Sequence, residues 1–177
     1  MYLPNRIVKI LANINKSYII YYTKGKISSV IIDSENIKIE ACTEGYCINL
    51  KGSKVILNDL KSIEPLLYKV CMHNKNDENK SKLKIADSLV EIFSKNEKTF
   101  AVKYLKGNIV SIIMDEHKLS INKTSAGYLL KVSNKNIAVE SFGAIKKLLL
   151  KMNIIKKIQK TKIDKNEIYF EQLKLDI

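Results

Sequence analysis

The feature that most constrains this chain is that it says nearly the same thing twice. Residues 17–70 align with residues 99–152 at a constant offset of 82 with no gap, and fourteen of the 54 pairs are identical. Tyr22-Thr23-Lys24-Gly25-Lys26-Ile27 stands against Tyr104-Leu105-Lys106-Gly107-Asn108-Ile109. Most other pairs keep apolar against apolar and polar against polar. One repeat of this length, with no array behind it, reads as a duplicated small unit and not as a solenoid.

Each copy reads helix, strands, helix. The first helix is expected over about Asn5–Ile14, and its counterpart over Ser88–Lys95 with Asp87 as N-cap. Strands follow at Ser17–Thr23, Lys26–Asp33, Asn36–Cys42, Tyr46–Leu50 and Val55–Leu57, and recur in the second copy. Lys24-Gly25 and Lys106-Gly107 are tight hairpin signals. The closing helix runs from Ser62 to Cys71, with Ser62 as N-cap so that Pro65 falls in the first turn, and its counterpart starts after Ser141. The domain reading is a first α+β repeat over 1–73, a polar linker over 74–82, a second repeat over 83–152 and a basic, then mixed, C-terminal segment over 153–177.

Strand alternation sorts side chains between two faces. Tyr18, Ile20 and Tyr22 match Phe100, Val102 and Tyr104 on one face. Ile37, Ile39, Tyr46, Ile48 and Leu50 match a second apolar set in the other copy. The opposite positions are mostly polar, which is the pattern of an antiparallel sheet covered by helices on one side only. The fold class is therefore α+β, a tandem duplication of a helix–antiparallel sheet–helix unit. Two such units can join edge to edge into a pseudo-two-fold, saddle-like sheet with helices on one face.

The run Cys47-Ile48-Asn49-Leu50-Lys51-Gly52-Ser53-Lys54-Val55-Ile56-Leu57, leading into a helix, is similar to the strand–Gly-Lys–strand–helix unit of the TATA-binding-protein family. So is Leu129–Val139. In length and duplication the chain also resembles that family's saddle. The resemblance covers about 25 residues per copy and implies shape alone. No positions match the family's paired intercalating phenylalanines, and no strand precedes the first helix.

The formal net charge is +13. That balance points to an anionic partner such as DNA or RNA. Of 31 basic residues, 30 are Lys and only Arg6 is Arg, so bidentate Arg readout of guanine is not expected. Lys contacts to phosphate remain. The densest basic segment is Lys156-Lys157-Ile158-Gln159-Lys160-Thr161-Lys162. No apolar run approaches the roughly 20 residues of a membrane span, and the N-terminus lacks a signal-peptide pattern, so no membrane partner and a cytoplasmic location are expected.

Cys42, Cys47 and Cys71 lack metal-ligand spacing with one another or with the two histidines. Cys42 and Cys47 could face each other across a hairpin as free thiols. Asp33 and Asp115 end strands, with Glu35 near one and Glu116-His117 near the other; the expected role is turn formation. No catalytic residue, metal site or cofactor is expected. The expected function is a non-catalytic nucleic-acid-binding protein. Its candidate contacts are Tyr21, Lys103 and Lys131 on the open sheet face and Lys156, Lys157, Lys160 and Lys162 beyond the second copy. The alternative is a protein–protein interaction or assembly module, with a protein partner or a homodimer, using the open face or the C-terminal segment.

Overall fold

A computed structural model describes residues 1–14, 16–71 and 85–156 of the chain. The expected linker and the chain from residue 157 onward lie outside the described residues. In chain order the elements are α1 (Arg6–Ala12), β1 (Ser17–Thr23), β2 (Lys26–Ile32), β3 (Ile37–Cys42), β4 (Gly45–Leu50), β5 (Ser53–Leu57) and α2 (Ile63–Cys71). The same order follows again: α3 (Asp87–Lys95), β6 (Phe100–Leu105), β7 (Asn108–Met114), β8 (Leu119–Thr124), β9 (Gly127–Val132), β10 (Lys135–Val139) and α4 (Phe142–Lys151). The class is α+β, dominated by one ten-stranded antiparallel sheet in the order β10-β9-β8-β7-β6-β1-β2-β3-β4-β5.

Local chemistry explains most boundaries. Lys24 and Gly25 both have positive φ (50° and 74°), as do Lys106 and Gly107 (51° and 73°). That is the geometry of a two-residue turn whose twist matches its strands. β2 stops at Ile32, because Asp33–Glu35 form a 3₁₀ turn closed by Asn36 in the left-handed region; Asp115–His117 and Lys118 do the same before β8. Two expected caps are displaced. Asp59, not Ser62, caps the entry to α2 by accepting the Ser62 N–H at 2.8 Å, and a 3₁₀ turn at Leu60–Ser62 intervenes. Asp87 is the first residue of α3, with Ala86 at the N-cap. The cap on α4 is Ser141, whose hydroxyl accepts the Ala144 N–H at 3.3 Å.

The sheet is continuous because β1 pairs with β6. Six residue pairs form that seam, from Ser17 opposite Leu105 to Tyr22 opposite Phe100, with Ile20 opposite Val102 near the middle. On the covered face Tyr18 stacks on Tyr104 with ring centroids 4.8 Å apart, and Tyr22 stacks on Phe100 at 4.5 Å. Phe93 of α3 packs on Phe100 from above. One apolar cluster then runs through the molecule: Ile7, Ile10 and Leu11 of α1, Ile63 and Leu67 of α2, Leu89 and Phe93 of α3, Ile145 and Leu149 of α4, and one face of the strands. The helices thus cover a single face.

Burial raises the phenol pKa of Tyr18, Tyr22 and Tyr104, in the case of Tyr22 to about 12. The two halves also brace each other. The Gly25 N–H donates to the Lys98 carbonyl at 2.9 Å, and a Cβ on Gly25 would lie 2.2 Å from the Ser94 carbonyl oxygen. At the matching turn Gly107 approaches the Ala12 carbonyl, where a Cβ would lie at 3.1 Å. Each hairpin tip therefore rests against the first helix of the other half.

Candidate functional site

Residues paired directly across antiparallel strands share a face, so the registers define what the uncovered face presents. One row runs Lys54, Asn49, Lys38, Ile31, Ile19, Lys103 and Ser111. The neighbouring row runs Cys47, Glu40, Ser29, Tyr21, Ala101, Ile113, Ser120 and Lys131. Three of the sequence-derived candidates, Tyr21, Lys103 and Lys131, therefore lie on one surface. Tyr21 and Lys103 are diagonal neighbours across the seam.

Both sit beside a β-bulge. Tyr21 pairs with Ser29 and Tyr22 with Ile27, leaving Ser28 as the extra residue on β2. Lys103 pairs with Ser111 and Tyr104 with Ile109, leaving Val110 as the extra residue on β7. The Ser28 hydroxyl donates to the Tyr21 carbonyl at 3.1 Å. A bulge twists its strand locally and re-aims the side chains around it. Here it also flips the alternation, so that Ile27 and Val30 are both buried while Ile31 falls on the open face.

The charge of this face is one-sided. Glu40 is the only acidic residue in the ten strands, and it is held by Lys38 at 2.8 Å. Lys54, Lys103 and Lys131 are exposed and make no ion pair among the described residues. Between them, apart from the Lys38–Glu40 pair, the face is uncharged and mixes apolar side chains with Asn49, Ser29, Ser111 and Ser120. Tyr21, Ile56, Leu105 and Ile113 are 37–40% exposed, and these four are most of the exposed large hydrophobic residues in the described chain. The sequence reading picked out Tyr21 and missed Ile19, Ile31, Leu105 and Ile113. Ile19 and Leu105 share the parity of Tyr21 and Lys103 along their strands, whereas Ile31 and Ile113 lie beyond the bulges, where the alternation of the sequence no longer marks the face.

The other candidates lie elsewhere. Lys156 is exposed on the helical layer, where its N–H donates to Asn96 Oδ1 at 2.8 Å at the end of α3. Lys157, Lys160 and Lys162 lie outside the described residues. Cys42 and Cys47 do not pair across the hairpin: Cys42 stands opposite Gly45 and Cys47 opposite Glu40, and both thiols are free. Gly45-Tyr46 begins β4 one residue earlier than expected, which shifts the register. Asp33 and Asp115 are exposed and open their 3₁₀ turns.

Lys16, just before β1, and Glu35, in the 3₁₀ turn after β2, form a 2.7 Å ion pair, each about five-sixths buried. At the matching place in the second half His117 has a buried Nε2 without a hydrogen-bond partner among the described residues. No group of three His, Cys, Asp or Glu side chains that could hold a metal ion occurs among the described residues. No described helix is long and apolar enough to cross a membrane. Compared with known protein families, curated proteins and solved structures, the chain finds no match in any of the three.

Proposed function

We propose that this protein is a tandem duplication of one helix–sheet–helix unit, and that the open face of its saddle-like sheet binds DNA or RNA without catalysis. The duplication reading is supported outside the aligned segment. The Leu3 N–H donates to the Ile27 carbonyl and the Ile85 N–H to the Ile109 carbonyl, each at 2.8 Å, and both contacts obey the offset of 82.

The observation that carries the functional reading is the charge imbalance of the open face: Lys38, Lys54, Lys103 and Lys131 against Glu40 alone. A polyanion meets little repulsion there, and each neutralised phosphate releases a counterion. Fluorescence anisotropy with a labelled oligonucleotide at low salt tests it. Binding is expected, with a log–log salt slope of about −2 to −4 for three or four lysine contacts. Lys103→Glu with Lys131→Glu is expected to abolish binding while leaving the circular dichroism spectrum unchanged. No binding of any oligonucleotide at low salt removes the reading.

A protein partner is the second reading, favoured by the exposed aliphatic side chains Ile56, Leu105 and Ile113. Light scattering on the purified chain, and its change on Ile113→Asp, separates the two.

A further inference from the structure

We infer that the occupant of the open face is single-stranded nucleic acid, its bases laid on the apolar centre and its phosphates on the flanking lysines. This rests on the nucleic-acid reading above and adds the form of the ligand and the way it lies.

The first argument is the middle of the face. In the two rows that cross the sheet, the central strands β2, β1, β6 and β7 carry one charge, Lys103, among four large apolar side chains, Ile19, Ile31, Tyr21 and Ile113, with the small residues Ser29, Ala101 and Ser111. A duplex turns its phosphates outward and hides the flat faces of its bases, so a centre with a single charge offers it little. A single strand exposes those faces, and stacking one on an aromatic ring contributes about 1–3 kcal/mol. Tyr21 is the ring available, placed at the seam on backbone whose carbonyl accepts from Ser28 of the neighbouring bulge. The surrounding isoleucines give further apolar cover for adjacent bases.

The second argument is spacing. Lys38, which shares its charge with Glu40, lies on β3, Lys103 on β6 and Lys131 on β9, so each step crosses three inter-strand intervals. At about 4.8 Å per interval that is roughly 14 Å between successive cations. Such a line suits one flexible backbone running across the strands. It does not offer the two parallel rows of cations that would follow both strands of a helix.

The third argument is what the face lacks. It has no Arg, and its one carboxylate is engaged by Lys38. Base identity therefore has few readers, and binding is expected to tolerate sequence.

The test is a competition series on the full chain, using a labelled deoxythymidine homopolymer, a duplex of the same length and an abasic single strand of the same length. The homopolymer is expected to bind about tenfold or more tighter than the abasic strand, which keeps the phosphates and lacks the bases. It is expected to outcompete the duplex as well. Tyr21→Ala should cost about tenfold on the homopolymer and leave the abasic strand unchanged, while Tyr21→Phe restores binding to within about twofold. Equal binding of homopolymer and abasic strand, or tighter binding of the duplex, overturns this inference and leaves the nucleic-acid reading standing. Failure of all three ligands, with an oligomer that Ile113→Asp dissolves, removes both in favour of a second copy on the face.

Discussion

Two glycines in matching turns face unequal neighbours. At Gly25 (φ +74°) an added Cβ would lie 2.2 Å from a backbone oxygen, whereas at Gly107 (φ +73°) the nearest atom stands at 3.1 Å. Both replacements meet the left-handed backbone penalty of about 1–2 kcal/mol. Gly25→Ala adds a clash with a backbone that cannot swing aside. In urea titrations Gly107→Ala is expected to cost about 1–2 kcal/mol and Gly25→Ala clearly more, about 3 kcal/mol; equal costs would show that the Ser94 contact is loose.

Lys16 and Glu35 make the second residue-scale case. Lys16→Met strands a mostly buried carboxylate and is expected to cost about 2–3 kcal/mol, less than the roughly 3–5 kcal/mol of fully buried pairs because both ends keep some water. Adding Glu35→Leu should return most of that loss in the same titration.

The tyrosines at the seam predict an alkaline limit. Each phenol ionises near pH 10 in the unfolded chain and at a higher pH in the fold, about 12 for Tyr22. The protonated fold is therefore favoured below pH 10, and that advantage is lost as pH climbs above it, by about 1.4 kcal/mol per pH unit for each tyrosine still protonated. An ultraviolet phenolate titration should show Tyr18, Tyr22 and Tyr104 ionising only as the protein unfolds.

At the scale of elements, capping separates two superficially similar serines. Ser141 closes the N-terminus of α4 directly, and Ser141→Ala is expected to cost about 1 kcal/mol. Ser62 donates its hydroxyl to Asp59 and is not the cap of α2, so Ser62→Ala should cost a few tenths at most by the same measurement.

Much of this scale was legible in the sequence. Tyr18, Ile20 and Tyr22 alternate cleanly, Lys24-Gly25 marks its hairpin, and the apolar set of each helix recurs at helical spacing. Three of the displaced boundaries share a cause: Asp33, Leu60 and Asp115 begin 3₁₀ turns, and a three-residue turn leaves no periodicity to read. The bulges were hidden for a related reason. A single extra residue such as Ser28 or Val110 flips alternation, and the sequence shows only a run of apolar and small residues. The open face inherited that blindness, so Lys103 and Lys131 were found by parity while Ile31 and Ile113, beyond the bulges, were not. The pairing of β1 with β6 had no local signal, because an edge strand chooses its partner by what it buries jointly.

At the scale of the whole molecule, one apolar cluster spans both halves, and each hairpin tip is hydrogen-bonded to the other half. A single cooperative unfolding transition is therefore expected. Far-ultraviolet circular dichroism and tyrosine fluorescence should give superimposable urea curves; two separated transitions would mean that the seam is weaker than the halves it joins. Phe100→Ala removes a ring stacked on Tyr22 and packed against Phe93, and is expected to lower the whole transition by about 3–5 kcal/mol without splitting it.

The seam has one more consequence. Tyr21 and Lys103 occupy equivalent places on either side of it, as do Asn49 and Lys131, yet each pair carries two different side chains. A dimer of identical chains would be bound to repeat itself at every such place. One continuous chain is free of that obligation, and this surface has used the freedom at its centre. It therefore has a head and a tail. A polymer lying across it meets an aromatic ring first in one direction and an ammonium first in the other, so the two orientations are not equivalent.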